Sequence, residues 1–272
     1  MSYRYAIIGA GRQGTAAAYD LGRFGEAEAI LIADSDPQAA ERAARRVNGL
    51  LKRDLAQAVT ADASDPHALA GDLRAGRVQA FLSAVPYFFN LGLTHAAIQA
   101  GAGMTDLGGN SDVVLQQLEL ASEAQAAGIS IVPDCGQVPG MGTSLILYAI
   151  EHLDEPRDVF MWDAGLPQTP QPPWNYRLTF SIEGLTNEYD GDALYIRDGQ
   201  TVRVPALEEL EEVDFPPPLG RLEGFTSSGG LTTAARTFAG RLRTLQNKTL
   251  RYPGHFALLK TIQQLGLLRL EP

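Results

Sequence analysis

The feature that most constrains the fold is a glycine pattern near the N-terminus. The glycines of residues 9–14 form a G-x-G-x-x-G motif that follows the apolar run 5–8 and opens a segment with helical spacing. The first glycine permits a tight turn, the second lets the backbone approach a pyrophosphate, and the third allows close packing of helix on strand. In this context the motif predicts a dinucleotide-binding βαβ unit. The candidate cofactor-binding residues of the motif are Gly9, Gly11, Arg12, Gln13 and Gly14.

The same alternation of short apolar runs and helical segments continues to about residue 150. It predicts an α/β fold, a Rossmann doubly wound parallel sheet, in which crossover helices join the strands. The predicted strands are 4–8, 29–33, 57–60, 78–83, 103–107 and 129–133. The predicted helices include 11–24, 37–48, 89–100 and 112–128.

After residue 153 the pattern changes and predicts a second, sheet-rich α+β domain. We expect a strand at 177–182, a hairpin from 193–197 to 201–204 that turns at Asp198–Gly199, a helix from His255 to about Leu265, and a last strand at 267–270. The chain is therefore divided into a dinucleotide-binding domain, 1–152, which the C-terminal helix can rejoin, and a substrate and dimerisation domain, 153–272.

An acidic residue stands where such a domain places its ribose contact. Asp34 ends the second predicted strand, 20 residues beyond Gly14 (34 minus 14). A carboxylate at this place accepts hydrogen bonds from the adenosine ribose hydroxyls. The sequence therefore favours NAD over NADP as the cofactor. The alternative is that Asp34 is an ordinary cap of the helix that begins at Pro37.

Charge and composition exclude several classes of partner. A net charge of −10 argues against nucleic acid, which needs a cationic surface. No segment is apolar and long enough to span a bilayer, and the N-terminus lacks the zones of a signal peptide, so we expect a cytoplasmic protein without a membrane partner. One cysteine and four scattered histidines predict neither a disulfide nor a metal site. The apolar final helix favours a homodimer.

Two glycine-bearing loops follow the fifth and sixth predicted strands, at the carboxyl edge of the sheet where ligands collect. They span Asp106–Asn110 and Pro133–Met141. Asp106 and Asp134 are placed to attract a substrate ammonium group or to take its proton, and Cys135 lies beside the expected nicotinamide position. The catalytic candidates here are therefore Asp106 and Cys135, and the substrate-binding candidates are Asn110 and Asp134.

Each of these assignments has a structural alternative. Asp106 can accept hydrogen bonds from its own loop, Cys135 can be a small packing residue, and Asn110 can cap the next helix. Further residues follow the third and fourth strands and are candidates to contact the cofactor, although a simple loop explains them equally well. They are Asp62, Ser83, Ala84, Val85 and Pro86.

In the second domain three residues near the C-terminus are candidates. Arg251 suits carboxylate binding because its guanidinium is a planar, bidentate donor, and Tyr252 is its neighbour. His255 stands at a predicted helix N-terminus and is a candidate proton relay that titrates near neutrality. A surface ion pair for Arg251 and a backbone-bonded histidine for His255 are the alternatives.

Motifs from both predicted domains resemble the saccharopine dehydrogenase-like family, most closely its lysine 6-dehydrogenase branch. The stretches that carry the resemblance are Gly9–Gly14, Ser83–Pro86, Asp106–Asn110, Pro133–Met141, Thr226–Gly230 and Lys248–His255. The resemblance implies an NAD-dependent enzyme that oxidises a C–N bond of a small amino-acid substrate to an imine, which water hydrolyses. L-Lysine would yield its 6-semialdehyde and ammonia.

Two alternatives stay open. One is a saccharopine-type reductase that condenses an amino acid with a semialdehyde, and the other is an NAD-binding sensor or assembly protein without turnover. Members of the family usually continue through further β structure beyond the equivalent of His255, so the second domain is expected to be shortened relative to them.

Overall fold

The computed structural model describes residues 2–269, and its chain divides into two compact units. The first comprises residues 1–107 and 112–135, and the second comprises residues 108–111 and 136–272. The division after Cys135 precedes the boundary expected after residue 152, and the C-terminal helix belongs to the second unit.

The first unit contains a six-stranded parallel sheet with the order β3-β2-β1-β4-β5-β6. Its strands are β1 (Tyr3–Ile8), β2 (Ala27–Asp34), β3 (Ala56–Thr60), β4 (Ala80–Ser83), β5 (Gly103–Asp106) and β6 (Ile131–Val132). This is the strand order of a doubly wound dinucleotide-binding sheet, and the switch point lies between β1 and β4. The predicted Rossmann fold is confirmed.

Helices connect these strands. They are α1 (Arg12–Phe24), α2 (Pro37–Leu51), α3 (Pro66–Ala75), α4 (Asn90–Ala100), α5 (Ser111–Glu119) and α6 (Ala121–Ala126), with a 3₁₀ turn at Tyr87–Phe89. Asp36 and Asp65 cap α2 and α3, and in each case the next residue is a proline at the first helical position. The single helix predicted at 112–128 is two helices, and the strand predicted at 129–133 shortens to two residues.

Both faces of this sheet are covered, which explains why its central strands are continuous apolar runs. Along β1, Ile7 packs into one buried cluster with Ile30 and Ile32, whereas Ala6 and Ile8 pack into another with Phe81. The alternation follows the period of two of a strand. The sheet is thereby fixed in register, and its carboxyl edge is left to the loops.

The second unit contains a second six-stranded sheet. Its strands are β7 (Asp158–Ala164), β8 (Asp192–Arg197), β9 (Gln200–Pro205), β10 (Glu211–Phe215), β11 (Gly220–Thr226) and β12 (Thr244–Arg251), and its helices are α7 (Met141–Glu151), α8 (Ile182–Glu188), α9 (Thr232–Thr237) and α10 (His255–Gln264). The main path is β10-β11-β12-β8-β9, with antiparallel pairs, and β7 joins β12 in parallel. The second, sheet-rich domain is confirmed.

Most of the hairpin and helix predictions for this unit hold, but two strand predictions are wrong. The predicted hairpin is β8–β9, and the predicted C-terminal helix is α10. Residues 177–181 form no strand, and α8 begins at Ile182. Of the strand predicted at 267–270, residues 267–269 form a turn and an irregular end, and Leu270 lies outside the described residues.

Across residues 2–269 the structure contains no helix with the length and apolarity needed to cross a membrane.

Removing a buried side chain of β12 tests the core of the second unit. Leu245→Ala should lower the free energy of unfolding by about 2–5 kcal/mol, because Leu245 is fully buried in a cluster with Tyr195, Ile196 and Phe238. The matched control Leu265→Ala removes an exposed side chain and should change it by less than about 0.5 kcal/mol. Urea unfolding followed by tryptophan fluorescence reports on this unit, since it holds both tryptophans of the chain. Equal effects of the two variants would contradict the assignment.

Candidate functional site

The turn between β1 and α1 has the backbone that its glycines predict. Gly9 has φ +103°, and a Cβ on it would lie 2.7 Å from the carbonyl oxygen of Ala84. A Cβ on Gly14 would lie 1.9 Å from the carbonyl oxygen of Gly9. No larger residue fits at either position. The two glycines therefore hold the turn against β4 and against its own helix.

Gly11 differs from these two because its surroundings are open. A Cβ on Gly11 would meet no protein atom within 4 Å, and Gly11, Arg12 and Gln13 are exposed. Gly11 is the N-cap of α1 and makes no side-chain cap hydrogen bond. The open approach and the helix N-terminus fit a bound pyrophosphate.

Asp34 is fixed at the carboxyl end of β2 by two backbone amides. Its Oδ2 accepts a hydrogen bond from the Ala10 amide at 2.8 Å, and its Oδ1 accepts one from the Asp36 amide at 2.9 Å. The cap of α2 is Asp36, whose side chain accepts from the Gln38 amide. The alternative that Asp34 caps this helix is therefore wrong. The bond to Ala10 ties the partly exposed carboxylate of Asp34 to the glycine turn.

The remaining cofactor candidates are less suited to bind through their side chains. The Ser83 hydroxyl is buried and donates to Asn90 Oδ1 at 2.7 Å, so it is not accessible to a ligand. Asp62 is exposed and accepts from the Ser64 amide, a bond that lowers the pKa of its carboxyl group. Val85 lies beside the Gly9 turn, and Pro86 precedes the 3₁₀ turn. Ala84 donates its amide to Ile8, and its carbonyl packs on Gly9.

Asp106 lies at the end of β5, and its side chain is completely buried. Its Oδ2 accepts from Gln117 Nε2 at 2.8 Å, and its Oδ1 accepts from the Asp134 amide at 3.1 Å. Gln117 also donates to Thr94 Oγ1 at 3.0 Å. A group enclosed in this way cannot take a proton from a substrate directly. We therefore correct its predicted role: Asp106 holds the loop after β6 in place.

The loop after β6 holds two further candidates, Asp134 and Cys135, of which the first is buried and the second is exposed. Asp134 is buried in a left-handed conformation, φ +62°. Cys135 is exposed, and its amide donates to the Asp106 carbonyl at 2.8 Å. The alternative that Cys135 is a small packing residue does not fit this exposure. Its thiol lies at the surface, within 3.4 Å of the Val132 carbonyl oxygen.

In the second unit, the glycine loop 108–111 contacts the end of α8. Asn110 Nδ2 donates to Asn187 Oδ1 at 2.7 Å, and Asn187 Nδ2 donates to the carbonyl of Gly109. Gly229, with φ +81°, also packs here, because a Cβ on it would lie 2.6 Å from the Gly109 carbonyl oxygen. Two of the stretches that carry the family resemblance, 106–110 and 226–230, therefore meet near the end of α8.

Arg251 is buried at the end of β12 rather than in a surface ion pair. Its Nε donates to the Tyr189 hydroxyl at 2.9 Å, its Nη1 to Thr249 Oγ1 at 2.7 Å, and its Nη2 to Glu188 Oε2 at 3.4 Å. The guanidinium lies 4.9 Å from the centre of the Tyr176 ring. Most of the guanidinium hydrogen-bonding capacity is thus used within the protein, which leaves little of it for a substrate carboxylate.

His255 is buried at the start of α10 and completes this hydrogen-bonded chain. Its Nδ1 lies 3.1 Å from the Trp174 carbonyl oxygen, and its Nε2 lies 3.0 Å from the Tyr189 hydroxyl. A carbonyl only accepts, so Nδ1 carries the proton and Nε2 accepts from Tyr189, which itself accepts from Arg251. Burial lowers the pKa of His255 to about 4. The expectation that His255 titrates near neutrality is therefore wrong.

Arg251 and His255 form a cluster with four residues that were not predicted from the sequence. These are Asp163, Tyr176, Glu188 and Tyr189. Glu188 is the most unusual, because burial raises the pKa of its carboxyl group to about 7, although the charge of Arg251 opposes the shift. Burial also raises the pKa of Asp163. The sequence contains one signal for the helix that carries Glu188: Ser181 is the N-cap of α8, and its hydroxyl accepts from the Gly184 amide. Tyr252 lies outside the cluster, and its hydroxyl donates to the Pro167 carbonyl at 3.3 Å.

The geometry of the described residues offers two separate chemistries, one in each unit. The first unit offers an anion-binding turn beside a carboxylate, and the second offers a carboxylate–guanidinium–tyrosine cluster. Within residues 2–269, no three His, Cys, Asp or Glu side chains are grouped so that they could hold a metal ion.

Two curated relatives of this chain are synthases by name. The chain is 26% identical over 200 residues to "Alpha-aminoadipic semialdehyde synthase, mitochondrial" from Bos taurus. The aligned residues cover 69% of this chain and 21% of that protein. It is 26% identical over 204 residues to "Carboxynorspermidine synthase" from Vibrio cholerae, 70% of this chain and 48% of that one. The chain therefore spans about half or less of the length of these relatives.

A solved structure confirms the fold. The apo form of saccharopine dehydrogenase (L-Glu forming) from Saccharomyces cerevisiae superposes with a TM-score of 0.75 over 98% of this chain and 59% of that one, at 19% identity.

The pKa of His255 generates a prediction about stability. Its pKa is about 4 in the native protein and near 6.5 in the unfolded chain, so between pH 7 and pH 5 only the unfolded chain takes up a proton. When the pH is lowered from 7 to 5, the free energy of unfolding should fall by about 2 kcal/mol more in the wild type than in His255→Gln. Urea unfolding at both pH values measures the difference. The exposed control, His152→Gln, should behave like the wild type, and an identical pH dependence of His255→Gln would contradict the buried neutral imidazole.

Family models match both units. The model described as the saccharopine dehydrogenase NADP binding domain matches residues 5–132, and the model described as the saccharopine dehydrogenase C-terminal domain matches residues 136–272. The boundary between the two matches coincides with the division into units after Cys135. The chain belongs to the saccharopine dehydrogenase family.

Proposed function

We propose that this protein is a dehydrogenase that uses a nicotinamide dinucleotide to make or break a C–N bond of an amino-acid substrate. The observation that carries the proposal is the open backbone at Gly11 beside the fixed carboxylate of Asp34, in a chain of this family. The turn and the first amides of α1 would hold the pyrophosphate, and Asp34 would hold the adenosine ribose. The bound nicotinamide would supply the hydride transfer.

Asp34 supports NAD rather than NADP as the preferred cofactor. Its carboxylate stands at the end of β2, where a domain of this fold would bind the adenosine ribose, and Asp36 adds a second negative charge nearby. Both disfavour a 2′-phosphate. The description of the matching family model names NADP, so the choice between the two cofactors is part of the proposal.

For the substrate, the names of the relatives favour a saccharopine-type reaction, in which an amine and an aldehyde are joined and reduced to a secondary amine, or the reverse. The protein superposed on this chain is a saccharopine dehydrogenase by name, and the two curated relatives are synthases by name. The second candidate is oxidative deamination of L-lysine or a similar ω-amino acid, which the resemblance of the loops 106–110 and 133–141 to the lysine 6-dehydrogenase branch favours. A homodimer in the cytoplasm stays a prediction from the sequence.

A methyl group at Gly11 tests the cofactor site. Gly11→Ala should leave the fold intact, since the new Cβ meets no protein atom, but should weaken NADH binding by at least about tenfold because it occupies the approach of the pyrophosphate. Calorimetric titration measures the affinity. The control Gly49→Ala also places a Cβ in open space, in α2, and should bind NADH like the wild type. Unchanged binding by Gly11→Ala would remove the basis of the proposal.

The cofactor preference can be tested at Asp34. In Asp34→Asn the affinity for NADH should fall by about tenfold while that for NADPH is unchanged or rises, because the negative charge is lost. The ratio of the two dissociation constants is the readout, since damage to the turn would lower both affinities together. A wild-type protein that prefers NADPH, or a ratio that the substitution leaves unchanged, would contradict the proposed role of Asp34.

Absorbance of NADH separates the two substrate candidates. A saccharopine-type enzyme should oxidise NADH only when glutamate accompanies the semialdehyde of α-aminoadipate, whereas a deaminating enzyme should form NADH from NAD and L-lysine alone. We expect the first result. Binding of NADH without turnover of either substrate set would support the non-catalytic alternative and contradict the proposed activity.

A further inference from the structure

The last residues of α8 are held from two sides by the loops of the second unit. The Ser228 amide donates to the Glu188 carbonyl at 2.9 Å, and the Ser228 hydroxyl donates to the carbonyl of Asn187. The side chain of Asn187 is held by the loop 108–111: its Oδ1 accepts from Asn110 Nδ2, and its Nδ2 donates to the carbonyl of Gly109. The backbone of Glu188 is therefore fixed, although the sequence around it carries no recognisable motif.

The carboxylate of Glu188 is held on one side and open on the other. Arg251 Nη2 donates to its Oε2 at 3.4 Å, and within residues 2–269 this is the one hydrogen bond that its carboxylate makes. Its side chain is 31% exposed, whereas that of Arg251 is 4% exposed. The Glu188 side chain is therefore the more accessible member of this pair, while the guanidinium stays covered.

The charges around Glu188 are unbalanced. Arg251 faces it from β12, Asp163 acts on it from β7, and the hydroxyls of Tyr176 and Tyr189 lie close enough to interact with it. When both carboxylates are ionised, the cluster holds two negative charges and one positive charge. Burial raises the pKa of Glu188 to about 7 and also raises that of Asp163. An incoming cation would supply the missing charge.

An amine fits this cluster better than a carboxylate does. The donors of Arg251 are largely used by Tyr189, Thr249 and Glu188, so a substrate carboxylate would have to displace an internal partner. An ammonium group needs acceptors instead, and the open side of Glu188 provides them. The Tyr176 ring, 4.9 Å from the guanidinium, covers Arg251 and adds an apolar surface for a methylene chain.

We propose that the open carboxylate of Glu188 binds the ammonium group of an amine substrate and accepts a proton from it, with Arg251 as the positioning residue; this deepens the proposed dehydrogenase function and rests on it. In this step an N–H bond of the ammonium breaks, the O–H bond of the Glu188 carboxyl group forms, and the electron pair stays on nitrogen. The amine becomes neutral, as a C–N dehydrogenase requires. The proton then passes to solvent.

Binding of L-lysine and of saccharopine to the full chain, measured by calorimetry from pH 6 to pH 8, tests the proposal without turnover. For at least one of the two, wild-type affinity should rise by about tenfold over this range, because Glu188 must be ionised to accept the proton. Glu188→Gln should bind about tenfold more weakly at pH 8 and lose this pH dependence. Glu183→Gln, on the same helix, is the matched control and should follow the wild type.

Further variants separate a proton acceptor from a counter-ion of Arg251. Glu188→Asp keeps a carboxylate and should retain the pH dependence with lower affinity, which also covers the case that Glu188→Gln does not fold. If the enzyme turns over, formate should restore part of the activity of Glu188→Ala, which a purely structural role would not allow.

Two results would overturn the proposal: wild-type-like amine binding and pH dependence in Glu188→Gln, or a wild-type protein that binds NADH but neither amine at any pH. Failure of the wild type to bind NADH counts against the proposed function instead, and the amine titration still decides the role of Glu188.

Discussion

The candidate site of the second unit depends on the hydrogen bonds that satisfy the buried guanidinium of Arg251. A charge removed from water costs several kcal/mol unless good partners compensate it, and removing one partner of a buried pair typically costs about 3–5 kcal/mol. Here the partners come from α8, β12 and the residues around them: Glu188, Tyr189, Thr249 and the Leu250 carbonyl. The requirement to satisfy one cation thus fixes where Glu188 and Tyr189 stand. His255 extends the same chain: burial keeps its imidazole neutral, and its Nε2 accepts from the Tyr189 hydroxyl, which in turn accepts from Arg251.

In the first unit a buried carboxylate has the corresponding positioning role. Asp106 joins β5 to the loop after β6 and to Gln117 of α5, so the carboxyl edge of the sheet keeps its shape. The glycine turn is held by steric contact instead, and Asp34 is tied to that turn by the Ala10 amide. In each unit a buried ionisable group positions its neighbours, whereas Asp34 and Glu188 are more accessible and are the residues that we propose to bind ligands.

The sequence was sufficient for the parts of the fold in which local pattern and burial agree. Parallel strands covered on both faces are apolar runs, and the glycine motif fixes the turn that follows the first of them. Residues 177–182 misled the prediction because their apolar residues alternate without facing a core: Leu178, Phe180 and Ile182 are 40–53% exposed. The domain boundary was placed too late because α7 is apolar like a crossover helix, yet Ile146 packs in the core of the second unit. For the site, the sequence suggested a ribose-binding role for Asp34, which is still a proposal, but it assigned chemistry to Asp106 and His255, whose burial is set by tertiary packing. The carboxylate of Glu188 depends on Arg251, 63 residues away in the chain, and has no local signature.

The central claim is that this family member transfers hydride between a nicotinamide and the carbon that carries the reacting nitrogen. The most direct measurement is mass spectrometry of the cofactor after incubation of the protein with NAD and with saccharopine or lysine deuterated at that carbon. The account predicts that the reduced cofactor carries the deuterium from one of these substrates. Reduced cofactor without deuterium, or no reduction with either substrate by a protein that binds NAD, would contradict it.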